Sequence, residues 1–261
     1  MNEVAAVAHY SPYHFHRLFE HFCGETLMAY VRRLRLEQAA YEFRLGSESI
    51  GRTASSLGFT THEAFTRRFH SAFGVAPRTY RASSSTPFRG ASVRIQSLEV
   101  VRFPGACCVS TRIRGGYQHL VPPAHLDSPW HRLARAAGVV LSDKDVSCFG
   151  VCWDDPLITD EPVIRYDACL SVSGRTFDPY RFETVTIGAG KYARARWCGP
   201  IESMTEDYHY LIYEWPGAHR SRVDPSRPPF EHFIANREPS PSDDSVMGCR
   251  AVEADIFIPL R

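Results

Sequence analysis

Residues 49–81 read SIGRTASSLGFTTHEAFTRRFHSAFGVAPRTYR, which contains two short helical segments separated by a glycine. Gly58 follows the alanine-rich first segment and marks a tight turn. Phe65 and Phe69 are four residues apart, so they lie on one face of the second helix and pack it onto the first. Gly74 follows that helix and suits a left-handed cap. The pattern predicts a helix-turn-helix unit.

The same pattern occurs earlier in the chain, shifted by fifty residues. Its first copy is Phe15-x-Arg17-x-Phe19-x4-Gly24-x5-Tyr30, and its second copy is Phe65-x-Arg67-x-Phe69-x4-Gly74-x5-Tyr80. Ser11 and Thr61 stand just before the two helices, where a hydroxyl satisfies free backbone N–H groups. Residues 1–82 are therefore predicted to form an all-α tandem helix-turn-helix domain.

The helix faces that point away from these phenylalanines are rich in hydrogen-bonding groups. Arginine suits guanine, glutamate suits cytosine, and threonine and histidine bind base edges or phosphates more loosely. The alternative interpretation is an ordinary helical bundle with a solvated polar face, which lysine and glutamate would serve equally well. The side chains on these faces are Tyr13, His14, His16, Arg17 and Arg32 in the first unit, and His62, Glu63, Thr66, Arg67 and Arg68 in the second.

Charge and composition divide the chain at residues 83–89. Residues 1–85 hold ten arginines and seven glutamates, without lysine or aspartate, which gives +3. The remainder holds 20 basic and 22 acidic residues, which gives −2, and the two parts sum to the net charge of +1. The stretch between them is small and polar. We expect one domain at residues 1–82 and another at residues 90–261, joined by a flexible linker at 83–89.

Residues 90–261 contain short β-rich runs separated by glycine and proline turns, with two helical segments at about 118–137 and 201–215. The run that begins at Phe103 is echoed by the run that begins at Ile187. Two strand–strand–helix–strand–strand halves would form an α+β pseudo-twofold duplicated domain with a cleft where the halves meet. Such interfaces are favoured sites for small ligands.

One acidic residue of this region lies in an apolar strand. Glu231 stands in Pro-Phe-Glu-His-Phe-Ile, and strand alternation places it on the same face as Phe233. A carboxylate there is costly unless it is paired or binds a ligand, and aromatic rings around it favour a cation. The ordinary alternative is a salt bridge at a sheet edge, with the tryptophans in the core. The aromatic side chains available to wall a pocket are Trp153, Trp197, Trp215, Tyr117, Tyr208 and Phe233.

The N-terminal part resembles the AraC/XylS-type transcription regulators. The signature is carried by Ile50, Ala54, Gly58-Phe59, Thr61, Phe65, Arg67, Phe69, Gly74, Pro77 and Tyr80-Arg81. The resemblance implies that two recognition helices enter successive major-groove segments of double-stranded DNA and are joined by a long helix at Leu27–Leu45. It also implies that the base-facing residues are Tyr13, His16, Arg17, His62, Glu63, Thr66 and Arg67.

The C-terminal part resembles a GyrI-like effector-binding domain over residues 92–261. The matching motifs are Arg114-Gly-Gly-Tyr117, Gly150-Val-Cys-Trp-Asp-Asp-Pro156, Arg165-Tyr-Asp-Ala-Cys169, Pro228-Pro-Phe-Glu231 and Asp255-Ile-Phe-Ile-Pro259. The resemblance implies that Glu231 stands at the centre of the pocket. It also implies that Cys152 and Phe233 replace two tyrosines that often flank this glutamate, which would make the pocket more apolar.

We therefore expect a multidomain, cytoplasmic transcription regulator that binds double-stranded DNA and a small, lipophilic or cationic effector. Neither a cofactor, a metal nor an enzymatic activity is expected. No apolar run approaches the length of a membrane span and no signal peptide opens the chain, so we expect no membrane partner. The alternatives are a small-molecule hydrolase with Glu231 as general base, and a protein-binding module with a degenerate DNA-binding region. The oligomeric state stays open.

Overall fold

The computed structural model describes residues 2–46, 48–84, 93–178, 181–234 and 251–261. The chain divides into two compact units, residues 1–86 and residues 87–261. The last helix of the first unit ends at Ser83, the first residue of the predicted linker, and the linker from residue 85 onward lies outside the described residues. Within the described ranges, no helix has the length and apolar character needed to cross a membrane.

The first unit follows the predicted repeat. The side chains of Ser11 and Thr61 each accept a hydrogen bond from a backbone N–H three residues further on, at 3.3 and 3.1 Å. Gly24 and Gly74 end the two capped helices with left-handed φ angles of 73° and 72°. The tandem helix-turn-helix prediction is confirmed, including the connecting helix. The helices are α1 Asn2–Val7, α2 Pro12–Cys23, α3 Leu27–Leu45, α4 Ile50–Ser56, α5 His62–Phe73 and α6 Pro77–Ser83.

Aromatic contacts in the first unit repeat together with the sequence. Phe19 packs on Tyr30 and Phe69 packs on Tyr80, edge to face, with ring centroids 5.4 Å apart in both pairs. Phe43 of α3 adds a contact of 5.5 Å to Phe69. Because of this extra ring, α5 fully buries Phe65 and Phe69, whereas α2 buries no residue fully. The second helix-turn-helix is therefore the more firmly anchored of the two.

The second unit is built on an eight-stranded antiparallel sheet with helices packed on it, which confirms the α+β prediction. The strands are β1 Ile95–Phe103, β2 Ala106–Arg114, β3 Val146–Cys152, β4 Arg165–Val172, β5 Glu183–Ile187, β6 Gly190–Gly199, β7 Phe230–Phe233 and β8 Val252–Leu260. The helices are α7 Pro129–Ala137, α8 Met204–His209 and α9 Trp215–Ala218, with a π-helical turn at Tyr210–Glu214 between the last two.

The strand order reveals the predicted duplication. The order is β1-β6-β8-β7-β3-β4-β2-β5. If β1, β2, β3 and β4 are exchanged with β5, β6, β7 and β8, respectively, the result is the same order read backwards. A pseudo-twofold axis therefore passes between β3 and β7, where Gly150 pairs with Glu231. The edge strands are exchanged, because β1 pairs with β6 of the second half and β5 pairs with β2 of the first.

The first predicted helix of this unit is much shorter than expected. Instead of one helix over residues 118–137, there is a 3₁₀ turn at Tyr117–His119, and α7 begins only at Pro129. Pro122 and Pro123 lie between them, and proline cannot donate a helical hydrogen bond. Ser128 then caps α7 by accepting from the backbone N–H of His131 at 3.4 Å. The second predicted helix, at 201–215, extends to Ala218 as α9.

The two faces of the sheet are covered by different groups. Strand alternation places Glu231 on the face that α7 and α8 cover, which we call the helix-covered face. Phe149, Phe230 and Phe257 belong to a buried aromatic cluster on the opposite face. Phe103 at the end of β1 closes this cluster, with its ring 4.9 Å from that of Phe230.

Candidate functional site

The first candidate surface consists of the seven predicted base-facing residues on α2 and α5. Ser11 and Thr61 fix where these helices begin, so the polar side chains come from the first two turns. Tyr13 is 74% exposed. His16 and Thr66 are half-buried, and the remaining four, Arg17, His62, Glu63 and Arg67, are exposed. The structure therefore leaves both sets available to a partner of the first unit.

Two arginines stand at equivalent positions of the repeat, one on each helix. Among the residues that the structure describes, neither Arg17 nor Arg67 forms an ion pair, whereas Arg33 of α3 is held by Glu25 and Glu37. An exposed, unpaired guanidinium can bind guanine or a phosphate through two parallel hydrogen bonds. The repeat thus presents two such groups on one domain, at a separation fixed by α3.

The second candidate site centres on Glu231 of β7, which is only 3% exposed. Tyr208 of α8 donates a hydrogen bond to one carboxylate oxygen at 2.7 Å, and Tyr166 of β4 donates to the other at 3.1 Å. The thiol of Cys152 donates to the first oxygen at 3.1 Å. Three neutral donors from three different elements therefore surround one buried carboxylate.

The charge of this carboxylate is not balanced by a cation. Within the described part of the chain, Glu231 forms no ion pair, although the same unit pairs Asp154 with Arg165 and Asp207 with Arg94. Burial raises the pKa of Glu231 above the usual range, while the hydrogen bonds from its three donors act in the opposite direction. Burial and the three donors thus act in opposite directions on the ionised form of Glu231, and a cation that reached this group would stabilise that form.

Gly150 explains how the tyrosine reaches the carboxylate. It pairs with Glu231 across β3 and β7, so any side chain here would point to the same face. A Cβ atom at this position would overlap the hydroxyl of Tyr166 and the carboxylate of Glu231. The missing side chain creates the space in which the Tyr166–Glu231 hydrogen bond forms.

Part of the predicted pocket is assembled around Glu231. Cys152 and Tyr208 contact the carboxylate directly. Tyr117 lies next to it, with its ring 5.8 Å from that of Tyr166 and its hydroxyl donating to the backbone carbonyl of residue 154 at 2.6 Å. Phe233 shares the helix-covered face with Glu231, one alternation further along β7.

The three predicted tryptophans lie elsewhere. Trp153 donates to Asp167 at 2.7 Å, on the opposite face of the sheet. It follows Cys152 directly, and neighbouring residues of a strand point to opposite faces. Trp197 is fully buried and donates to Asp207 at 2.6 Å. Trp215 stacks on a histidine of its own helical region. Among the described residues, none of these three tryptophans donates a hydrogen bond to Glu231.

Two aromatic residues of this site were not predicted from the sequence. We expected Cys152 and Phe233 to replace the two flanking tyrosines, but Tyr166 and Tyr208 both hydrogen bond to Glu231, so the pocket centre is more polar than predicted. Trp130 of α7 was overlooked too, although its ring lies 5.0 Å from that of Phe233. The alternation of β4 is a signal that could have placed Tyr166, once its register against β3 was known.

Comparison with known proteins agrees with the two units. A model described as a GyrI-like small molecule binding domain matches residues 99–247, and a model described as a helix-turn-helix domain matches residues 4–83. The first match covers more than half of the chain. The chain therefore belongs to the family of GyrI-like small molecule binding domain proteins, and it carries an AraC-type helix-turn-helix domain in front of that domain.

Curated relatives match the helix-turn-helix part of the chain. The chain is 41% identical over 81 residues to the transposon Tn10 TetD protein of Escherichia coli, covering 31% of this chain and 59% of TetD. It is 34% identical over 87 residues to the probable transcription factor PqrA of Proteus vulgaris, covering 33% of this chain and 71% of PqrA. A cryo-EM structure of an EcmrR–DNA complex aligns with 97% of this chain and 85% of that chain at 15% identity, with a TM-score of 0.47.

Proposed function

We propose that the protein is a cytoplasmic transcription regulator, without enzymatic activity, that binds double-stranded DNA through residues 1–82 and a lipophilic cation through residues 90–261. The observation that carries the proposal is the buried Glu231 carboxylate, which neutral donors surround and no described cation neutralises. A group of this kind behind a tandem helix-turn-helix domain fits a sensor whose ligand controls DNA binding.

The proposed DNA contact rests on the duplicated geometry of the first unit. Arg17 and Arg67 are exposed and lie in the first two turns of α2 and α5. Recognition helices of helix-turn-helix proteins contact base edges with their N-terminal residues. The net charge of +3 over residues 1–85 is modest, so we expect base contacts to contribute more to affinity than general attraction to phosphate.

DNA binding can be tested with duplexes from the upstream region of the protein's own gene. Arg67→Ala should cost about 1–3 kcal/mol in the binding of the specific duplex if its guanidinium contacts a guanine. Fluorescence anisotropy across a salt series should measure the affinity for this duplex and for random DNA. An affinity for the upstream DNA no better than for random DNA, at every salt concentration, would contradict the proposal.

A matched control is available in the same unit. Arg52 lies on α4 and its exposed side chain pairs with Glu48 at 2.8 Å. Arg52→Ala removes the same charge but no proposed base contact, so it should leave the ratio of specific to random affinity unchanged. Arg67→Ala should lower that ratio.

The proposed effector contact rests on charge and on the tyrosines. A cation that reaches Glu231 gains Coulomb attraction in a desolvated site and meets the rings of Tyr117, Tyr166 and Tyr208. A neutral molecule of the same shape gains only the apolar contact. The ligand class that fits best is therefore a delocalised organic cation.

The carboxylate can be tested with Glu231→Gln, which preserves shape and removes charge. Tetraphenylphosphonium should bind the variant about tenfold or more weakly, as expected for the loss of a contact to a buried charge. A neutral analogue, triphenylphosphine oxide, should bind both proteins equally. Calorimetric titration measures both affinities, and Glu253→Gln on the exposed side of β8 serves as the control. Equal cation affinities for wild type and Glu231→Gln would mean that the carboxylate is structural.

The same variant separates the sensor from a hydrolase. A carboxylate with a raised pKa beside tyrosines is also a suitable general base. In a hydrolase, Glu231→Gln would abolish turnover while substrate still binds. In the proposed sensor, the variant loses the ligand's effect on DNA affinity, and neither protein consumes the ligand.

A further inference from the structure

A cavity lies on the helix-covered face, beyond Phe233 and away from Glu231. Its volume is about 560 Å³, and neither Glu231 nor its three donors line it. It is formed by the segment before α7, by one side of α7 and by the ends of β3, β7 and β8. Most of its lining is apolar, including Pro122, Leu126, Ala134, Val139, Val140 and Phe233.

The apolar lining continues to the surface. Leu126 is 79% exposed and Val140 is 59% exposed, and both belong to this cavity. Large apolar side chains left in water around a concave site mark a place where a ligand or partner binds. The volume lies within the range of small-molecule pockets, which is about 300–1,000 Å³.

The permanently cationic side chain that borders this cavity is that of Arg135, which is opposite in sign to a carboxylate. His131 and Arg135 line it from adjacent turns of α7, four residues apart and on one side of the helix. In the part of the chain that the structure describes, the guanidinium of Arg135 forms no ion pair. Glu253 also borders the cavity. It is exposed, whereas its neighbours Val252 and Ala254 are buried, so strand alternation along β8 directs its carboxylate to the opposite face of the sheet.

The rings of Trp130 and Phe233 lie between this cavity and the carboxylate of Glu231. The indole of Trp130 lies 5.0 Å from the ring of Phe233, which lines the cavity, and 6.1 Å from the ring of Tyr166, which donates to Glu231. Its Nε1 is fixed by a hydrogen bond to the backbone carbonyl of Phe149 at 2.9 Å. The helix-covered face thus carries the carboxylate of Glu231 on one side of Trp130 and the cavity bordered by the guanidinium of Arg135 on the other.

We propose that this α7 cavity is a second ligand site, which binds an amphipathic organic anion. The apolar body of the ligand fills the space between α7 and the strand ends, and its carboxylate or sulfonate contacts Arg135. The site is independent of the cation site at Glu231 and goes beyond the function proposed above. One ligand could not contact both Glu231 and Arg135, because the rings of Trp130 and Phe233 lie between them.

The probe for this site is 8-anilinonaphthalene-1-sulfonate, an aromatic sulfonate whose fluorescence rises when it leaves water. The full-length protein should bind it saturably with one site per chain. Ala134→Phe fills the cavity and should abolish this binding, whereas Ala136→Phe, on the exposed side of α7, should leave it unchanged. Arg135→Glu reverses the only exposed charge of α7 that lines the cavity and should weaken binding about threefold or more.

Two further measurements make the result decisive. Glu231→Gln should retain full affinity for the sulfonate, and tetraphenylphosphonium should not compete with it. Circular dichroism melts of each variant check that the fold is kept. Because the side chain of Arg135 is exposed, Arg135→Glu should fold and test the site even if Ala134→Phe does not fold. The proposal is overturned if the wild type shows no saturable binding at millimolar dye, if Arg135→Glu binds as tightly as the wild type, or if the cation displaces the dye.

Discussion

Gly150→Ala tests the architecture of the carboxylate site with the smallest possible change. The added methyl group would overlap the hydroxyl of Tyr166 and a carboxylate oxygen of Glu231, and both groups are buried. Tyr166 is a strand residue enclosed by Trp130 and Tyr117, so its ring has little room to move. We expect the Tyr166–Glu231 hydrogen bond, now 3.1 Å, to break.

The expected loss of stability follows from three contributions. A hydrogen bond to a charged group contributes about 1.5–3 kcal/mol. Crowding of a packed core by one methyl group costs about 1–3 kcal/mol. Alanine in place of glycine in a strand returns about 0.5–1 kcal/mol through backbone entropy. Together these give a decrease of about 2–5 kcal/mol in the free energy of unfolding, dominated by the lost contact and the crowding.

Urea unfolding followed by tryptophan fluorescence is the suitable assay, because all four tryptophans belong to the second unit. Gly217→Ala is the matched control, since a Cβ there meets nothing within 4 Å. Its free energy of unfolding should stay the same or rise slightly. A Gly150→Ala protein as stable as the control, with unchanged affinity for a lipophilic cation, would refute the argument that this glycine makes room for the tyrosine.

Four other outcomes are expected. Limited proteolysis of the full chain should cut first within residues 82–89, since small polar exposed segments are preferred cleavage sites, and a first cut inside residues 100–215 would mean a different boundary. Affinity for a lipophilic cation should fall as the pH is lowered through the raised pKa of Glu231, because the protonated group no longer attracts the cation, and calorimetric titration at several pH values should detect this. In the ligand-free protein, the raised pKa of Glu231 means that the folded state binds this proton more tightly than the unfolded state does. The free energy of unfolding should therefore decrease as the pH rises through the raised pKa, and Glu231→Gln should remove that dependence. Trp153→Phe should lose the hydrogen bond to Asp167 but keep full cation affinity, because this ring lies on the opposite face of the sheet; a loss of affinity in the same titration would count against that placement.

The helix-turn-helix part could be predicted from the sequence because its determinants are local. Hydroxyl caps, left-handed glycines and phenylalanines four residues apart each act within a few residues of the helix that they define. Ser11 and Thr61 therefore marked the starts of α2 and α5 correctly. The greater burial of α5 could not be predicted in this way, because it depends on Phe43, a residue of another helix.

The carboxylate site was predicted only in part, because its geometry depends on strand register. Tyr166 meets Glu231 because β4 pairs with β3 and β3 pairs with β7, and no local pattern sets those registers. The face on which Trp153 lies, by contrast, could have been predicted from the sequence. Its position next to Cys152 was visible in the sequence, and alternation alone excludes both from one face of a strand. Aromatic composition alone does not place a ring on a particular face of a sheet.

The exchange of edge strands determines when this domain can fold as it is synthesised. Leu98 of β1 pairs with Ala195 of β6, so β1 lacks its partner strand until β6, the second strand of the second half, has left the ribosome. Pairings between residues so far apart make folding slow, and they leave unpaired strand edges exposed in the meantime. A nascent chain that stops after β4 would present β1 and the free edge of β2 together. Unpaired edges of this kind can pair with those of a second copy, so translational pausing in this region should promote association between copies rather than a stable half-domain.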